Sequence, residues 1–97
     1  MDEPLSPPDA RARLRHILAE GTVTTTQHAR DEMRKDELTI VDCANVLRGG
    51  VVEPAEWESG GWRYRVHTAR ICVVVEFEDD VEAVIVTAWR YRGKGAS

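Results

Sequence analysis

The sequence lacks a long hydrophobic run. Hydrophobic residues make up 42% of its 97 residues, yet no stretch approaches the roughly 20 consecutive apolar residues of a membrane-spanning helix. Residues 1–8 are acidic and proline-rich, without the basic and then apolar segments of a secretory signal. We therefore expect a cytoplasmic protein with no membrane partner. The length predicts one domain over residues 9–92, between a disordered arm (residues 1–8) and a flexible tail (residues 93–97).

Cysteine is also scarce. Cys43 and Cys72 are the only two, and each lies in an apolar stretch, so we expect buried and reduced side chains. Two distant cysteines form no zinc signature, and His, Asp and Glu do not cluster at the spacing of metal ligands. The sequence also has no phosphate-binding glycine loop. It therefore predicts neither a metal site nor a cofactor.

Positive charge is in deficit. Lysine and arginine number 13 against 17 aspartate and glutamate residues, which gives a net charge of −4. This balance argues against a simple nucleic-acid-binding protein, since such domains are usually basic. The arginines nevertheless concentrate in residues 10–16, 63–70 and 90–94, so a local basic face remains open.

The segment from residue 62 to residue 67 has the strongest pattern in the chain. Its apolar and basic residues alternate, as expected for a β-strand with one face in the core. Burial of unpaired charge is unfavourable, so the basic face must meet water, an acidic neighbour or an anionic ligand. The core face consists of Trp62, Tyr64 and Val66, and the basic face of Arg63, Arg65 and His67.

The residues before this strand have the periodicity of amphipathic helices. The first helix is predicted to begin with Asp9 as its N-cap and to end at Gly21. The second begins at Gln27, after a threonine N-cap, and ends near Asp36. The third is marked by a capping-box spacing, Thr39 to Asp42, and by a terminating glycine pair. Its predicted apolar stripe is Ile40, Cys43, Ala44 and Leu47.

From residue 51 the period becomes strand-like. A short edge strand over residues 51–53 ends at Pro54, and a turn with two glycines leads into the strand at residues 62–67. Strands over residues 70–77 and 81–89 follow. Helices followed by antiparallel strands predict an α+β fold, with the helices packed on one face of a curved antiparallel sheet.

Several residues are suited to RNA cleavage. Arginine binds phosphate in a bidentate manner and stabilises charge on it, and histidine or tyrosine can move the proton of a ribose 2′-hydroxyl. A neutral imidazole in the first turn of the second helix suits a general base. Exposed aromatic rings stack on unpaired bases. The candidates are His28, Arg63, Arg65, His67, Trp89, Arg90 and Tyr91.

The same residues have a structural interpretation that the sequence leaves open. Arg63 and Arg65 on an exposed strand can deter edge pairing, or can form cross-strand ion pairs with Glu76 or Glu53. His28 also fits an ordinary surface or capping histidine. Tryptophan is more often a core or interface residue than a stacking platform for bases.

Three short motifs link the chain to known proteins: His-Ala at the start of the second helix, Arg-Tyr-Arg-Val in the strand, and a closing Val-Thr-Ala-Trp. With them, residues 24–90 resemble a family of small bacterial proteins allied to the RelE superfamily and described as MqsR-like toxins of type II toxin–antitoxin systems. The matching segments are residues 26–29, Met33, residues 38–39, residues 46–48, residues 62–66 and residues 86–89.

The resemblance implies a RelE-like fold and a metal-independent mRNA endonuclease that a cognate antitoxin neutralises. In this lineage the antitoxin is typically MqsA-like, with a zinc-binding part and a helix-turn-helix part. This chain departs from the pattern at Glu32 and Asp36, where many relatives carry basic residues. The family's charged positions correspond here to His28, Arg63, Arg65 and Arg90, with Tyr64 and Thr87 beside them.

Two hypotheses follow from these observations. The first is a toxin that cleaves mRNA, free or on the ribosome. Its catalytic residues are predicted to be His28, Arg63, Arg65 and Tyr64, and its RNA-binding residues His67, Thr87, Trp89, Arg90 and Tyr91. The second is a non-catalytic protein of the same fold whose basic sheet face binds a protein partner. In either case the edge strand over residues 51–53 and the last strand are predicted sites of dimerisation or antitoxin docking by strand addition.

Overall fold

The computed structural model of the chain describes residues 2–91. The predicted domain end at residue 92 and the predicted tail at residues 93–97 lie outside these residues. The described part is an α+β unit, which confirms the predicted class. Its elements are α1 (Pro7–Glu20), β1 (Thr22–Thr25), α2 (Gln27–Lys35), α3 (Ile40–Gly49), β2 (Val51–Val52), β3 (Glu56–Glu58), β4 (Gly61–His67), β5 (Ile71–Phe77) and β6 (Glu82–Arg90).

The strands form one open sheet in the order β1-β6-β5-β4-β2, with β3 paired to the first half of β4. Every pair is antiparallel except β1 with β6. The helices α1 and α3 pack on each other, α3 packs on β4 and β5, and α2 lies along β6. Strands β4, β5 and β6 pair antiparallel in chain order, which confirms the predicted meander.

Strand β1 was not predicted. Its residues were interpreted only as a threonine run before α2, but they pair in parallel with β6, from Thr22 opposite Glu82 to Thr25 opposite Ile85. Nothing near β1 in the sequence indicates a partner so distant in the chain. The pairing occupies residues 82–85 of β6, so this part of the last strand is not available for the predicted strand addition.

The first helix begins earlier than predicted. Its N-cap is Ser6, whose hydroxyl accepts a hydrogen bond from the backbone N–H of Asp9. Pro7 stands in the first turn, where its missing N–H costs nothing and its fixed φ favours the helix. The prediction of Asp9 as N-cap, and of a disordered arm extending to residue 8, is therefore wrong.

The other helix ends agree with the sequence. Thr26 caps α2, and Thr39 and Asp42 form the predicted capping box of α3. The predicted stripe of α3 is only partly correct, because Ile40 is 46% exposed and Val46 is buried instead. The C-cap of α3 is Gly50, where a Cβ would lie 2.8 Å from the carbonyl oxygen of His67. This glycine lets the end of α3 approach the end of β4.

The core lies between the helices and one face of the sheet. Its largest fully buried side chains include Tyr64, Leu14, Ile17, Leu47 and Ile85. The alternation predicted for β4 is confirmed, since Tyr64 and Val66 are buried while Arg65 is exposed. Both cysteines are buried and free.

None of the helices formed by residues 2–91 is both long enough and apolar enough to cross a membrane.

Candidate functional site on the open face of the sheet

The sheet face opposite the helices, the open face, carries one row of side chains from each of β4, β5 and β6. The cross-strand pairing places Arg65, Val74 and Thr87 in one line and His67, Cys72 and Trp89 in the next. Val74 and Cys72 are buried between these larger neighbours, although no helix covers them. The rows on this face are Arg63, Arg65 and His67; Cys72, Val74 and Glu76; and Val84, Thr87 and Trp89.

A cleft of about 540 Å³ opens at one end of this face. Pro54 lies between β2 and β3 and interrupts the edge strand, because it has no N–H to donate to β4. Glu53 is still held in place by its backbone N–H, which donates to the carbonyl of Arg65 over 2.9 Å. The cleft is lined by Glu53, Pro54, Ala55, Glu56, Arg65, His67, Cys72 and Tyr91.

His67 and Glu53 form the closest polar contact in the cleft. Nε2 of His67 lies 2.6 Å from Oε2 of Glu53. Both side chains are partly exposed, so the imidazole is oriented by the carboxylate and still open to a ligand. A carboxylate that holds one ring nitrogen of a histidine leaves the other for proton transfer.

Arg65 is only loosely paired. Its Nη2 atom lies 3.7 Å from Oε1 of Glu56, and both side chains are more than half exposed, at 51% and 59%. An exposed pair with this separation contributes little to stability. The guanidinium is therefore available to an anion that enters the cleft.

Arg63 is held much more tightly than Arg65. Its Nε donates to Oε2 of Glu76 over 2.8 Å, and its Nη1 lies 3.6 Å from Glu58. The structural alternative for this face is confirmed for Arg63 with Glu76, whereas the partner of Glu53 is His67 rather than an arginine.

Tyr91 and Cys72 complete the cleft. Burial is the main cause that raises the pKa of each group, and the two side chains are hydrogen-bonded to each other. At neutral pH both therefore keep their protons. A protonated, buried thiol is a poor nucleophile, whereas a phenol that keeps its proton can act as an acid.

Tyr64 lies on the other face of the sheet. It is completely buried in the core. Its hydroxyl donates to Oε2 of Glu3 over 2.9 Å and accepts from the backbone N–H of Leu5 over 2.9 Å. Successive residues of a strand point to opposite faces, so Tyr64 cannot reach a ligand in the cleft, and its assignment to the catalytic group is wrong.

His28 is not brought to the cleft either. It is exposed in the first turn of α2 and lines a separate hollow with Asp31 and Glu32. Helix α2 lies along β6, and β4 is two strands farther, about 10 Å at normal strand spacing. A catalytic group that contains both His28 and Arg65 is not formed by direct contact.

Arg90 contacts the C-terminal end of α2 and does not lie on the open face. Its Nε and Nη2 donate to the carbonyls of Asp36 and Glu37 over 3.2 and 3.4 Å. Cations at a helix C-terminus satisfy its free carbonyls and complement its dipole. Thr87 and Trp89 do share the open face with the cleft, and the Trp89 ring packs edge-on against Tyr91 at 6.4 Å.

The structure thus unites three predicted residues, Arg65, His67 and Tyr91, with several that the sequence did not indicate. Glu53 was predicted only as an ion-pair partner of an arginine, and Cys72 only as a buried thiol, because only the register of β2 and β5 against β4 places them beside His67. Within residues 2–91, no group of three or more His, Cys, Asp or Glu side chains is arranged to hold a metal ion. No family model, curated protein or solved structure matches the chain.

Proposed function

We propose that this chain is a RelE-like toxin of the MqsR type that cleaves mRNA without a metal ion. The observation that supports this function is that one cleft gathers a carboxylate-oriented histidine, a loosely paired arginine and a protonated tyrosine. Cleavage by a ribose 2′-hydroxyl requires a base, an anion-stabilising group and an acid. The α+β architecture with its open, mostly antiparallel sheet is compatible with the fold class expected for such a toxin.

His67 is the base in this proposal. Donation from Nε2 to Glu53 leaves Nδ1 free to accept the proton of the 2′-hydroxyl. The 2′-oxygen then forms a bond to the adjacent phosphorus, and the bond from phosphorus to the 5′-oxygen breaks. Tyr91 gives its proton to the departing 5′-oxygen. The products are a 2′,3′-cyclic phosphate and a free 5′-hydroxyl.

Arg65 binds the phosphate and stabilises the charge that develops during attack. Trp89 and Thr87, which lie on the same face beside the cleft, contact the neighbouring nucleotide. Arg63 supports the face through Glu76 rather than binding RNA. His67, rather than His28, is therefore the general base in this proposal.

The partners proposed from the resemblance are mRNA, free or on the ribosome, and an MqsA-like antitoxin with a zinc-binding part and a helix-turn-helix part. Toxin activity of this kind belongs in the cytoplasm. The short edge strand β2 is the proposed place for strand addition by the antitoxin or by a second copy.

The test is induced expression in a bacterial host, with growth and total RNA followed together. We expect wild type to arrest growth and deplete mRNA, and His67→Ala, Arg65→Ala and Tyr91→Phe to lose both effects while remaining folded. Arg70→Ala is the matched control, because Arg70 is exposed and lies outside the cleft. Equal toxicity of all folded variants, or no arrest by wild type, would contradict the proposal.

A second candidate function is a non-catalytic module that binds a protein through the open face. The observation in its favour is that glutamates contact each basic residue of β4: Glu76 and Glu58 contact Arg63, Glu56 contacts Arg65, and Glu53 contacts His67. This arrangement leaves little positive charge for phosphates. Purified wild type that is folded and leaves RNA intact, but binds a protein partner less tightly after Trp89→Ala, would favour this function.

A further inference from the structure

The arginines of α1 have three different environments. Arg11 donates to the carbonyl oxygen of Gly50 at the end of α3. Arg13 forms an ion pair with Asp80 over 2.9 Å. Arg15 has no hydrogen bond or ion pair to the rest of residues 2–91. The α1 arginines therefore include one cation that has no partner among the described residues.

Arg15 stands at the rim of a groove between α1 and α3. The groove has a volume of about 390 Å³ and is lined by Arg15, Leu18, Ala19 and Arg48. Its apolar part consists of Leu18, which packs against the core, and the exposed side chain of Ala19. Within residues 2–91, the one hydrogen-bond partner of the Arg48 side chain is neutral, the side chain of Asn45 at 2.9 Å. None of the described residues that line the groove is a carboxylate.

The groove carries positive charge on a protein whose net charge is −4. Among residues 2–91, neither Arg15 nor Arg48 forms an ion pair with a carboxylate, a property that they share with Arg30 and Arg70. Two arginines beside an apolar floor complement a ligand that carries carboxylates next to apolar side chains. Nucleic acid would satisfy the arginines but leave Leu18 and Ala19 uncovered.

We propose that the α1–α3 groove binds an acidic, amphipathic helix of a partner protein. The apolar side chains of that helix lie on Leu18 and Ala19, and its flanking Asp or Glu residues pair with Arg15 and Arg48. Apolar anchors at helical spacing in a groove between elements are a common mode of peptide recognition. The groove lies in the helix layer, away from the open face, so this surface does not depend on RNA cleavage.

The experiment is selection of peptides from a random library on the immobilised full-length protein, followed by fluorescence anisotropy with the enriched peptide. We expect enrichment of sequences that combine Asp or Glu with Leu, Ile or Phe at helical spacing. Arg15→Glu/Arg48→Glu should weaken binding about tenfold or more, because two attractions become repulsions. Ala19→Trp, which fills an exposed part of the groove, should also block binding.

The matched control is Arg34→Glu/Arg70→Glu, which makes the same charge change at exposed arginines outside the groove. It should bind the peptide as wild type does, and thermal unfolding should show that each variant is folded. A peptide with Lys in place of every Asp and Glu should not bind. Enrichment of basic or neutral peptides, equal loss in the control, or displacement of the peptide by single-stranded RNA would overturn the proposal.

Discussion

At the scale of single residues, the glutamate partners of each basic side chain of β4 determine whether that side chain is available to a ligand. Arg63 is fixed between Glu76 and Glu58, and is therefore a structural residue. Arg65 is only loosely held by Glu56, and is therefore the residue that can bind a phosphate. Two arginines that look equivalent in the sequence thus differ in availability because of their neighbours.

Tyr64 provides a stability prediction at this scale. Replacement by Phe removes the hydroxyl that joins Glu3 and Leu5 to the sheet. We expect a loss of about 1–3 kcal/mol in the free energy of unfolding, because partners of a part-buried hydroxyl are left unsatisfied. Urea unfolding measures this loss. Tyr91→Phe, at a residue that is 43% exposed, is the control, and an equal effect of both changes would contradict the assignment.

The pH dependence of stability provides a second test of Tyr64. Burial raises its pKa from 10.0 to about 12, so the folded state favours the protonated phenol. The resulting stabilisation is complete below about pH 10 and is lost as the pH rises through about 12. The difference in stability between wild type and Tyr64→Phe should therefore shrink over this range. A difference that stays constant from pH 9 to 12 would be inconsistent with a buried phenol.

At the scale of elements, the ends of helices and strands form the site. Pro54 divides the edge strand into β2 and β3 and so opens the cleft. At the same end of the sheet, Gly50 terminates α3 against the carbonyl of His67, the residue we propose as the base. The site therefore depends on where its elements stop.

The adjacent glycines at the end of α3 provide a matched pair of variants. Gly50→Ala should destabilise the protein by about 1–3 kcal/mol, because its Cβ would lie 2.7 Å from the carbonyl oxygen of Val46 and 2.8 Å from that of His67. Gly49→Ala has no atom within 4 Å of its Cβ, and should stabilise the helix by up to about 1 kcal/mol. Urea unfolding compares the two, and equal effects would exclude a close approach at Gly50.

At the scale of the whole molecule, the sheet separates two surfaces of different character. The open face mixes cations with glutamates around the cleft, while the helix layer carries the groove with two arginines that form no ion pair within residues 2–91. The net charge of −4 therefore coexists with two local groups of cations, one at the cleft and one at the groove.

The surface charge predicts how RNA affinity changes when Glu56 and Glu58, the glutamates of β3 that contact Arg65 and Arg63, are neutralised. Glu56→Gln/Glu58→Gln frees Arg65 and Arg63 from partners on β3, and should raise the affinity for single-stranded RNA several-fold at low salt, with a steeper salt dependence. Glu20→Gln/Glu78→Gln makes the same net charge change outside the cleft, and should have a much smaller effect. Fluorescence anisotropy with labelled RNA measures both, and equal gains would show that net charge alone acts.

The sequence by itself determined the local features of this protein. The caps of α2 and α3, the alternation along β4 and the α+β class were all predicted correctly, because each depends on residues a few positions apart. The start of α1 was mistaken because the sequence offers two N-cap candidates, Ser6 before Pro7 and Asp9, and the helix uses Ser6.

Only the tertiary structure decided which residues meet. It paired β1 with β6, turned Arg90 away from the open face, and brought Glu53 to His67. These contacts join segments that are distant in the chain, and their register is set by packing over the whole sheet. A local pattern can show that a side chain is exposed, but its partner is decided by the fold.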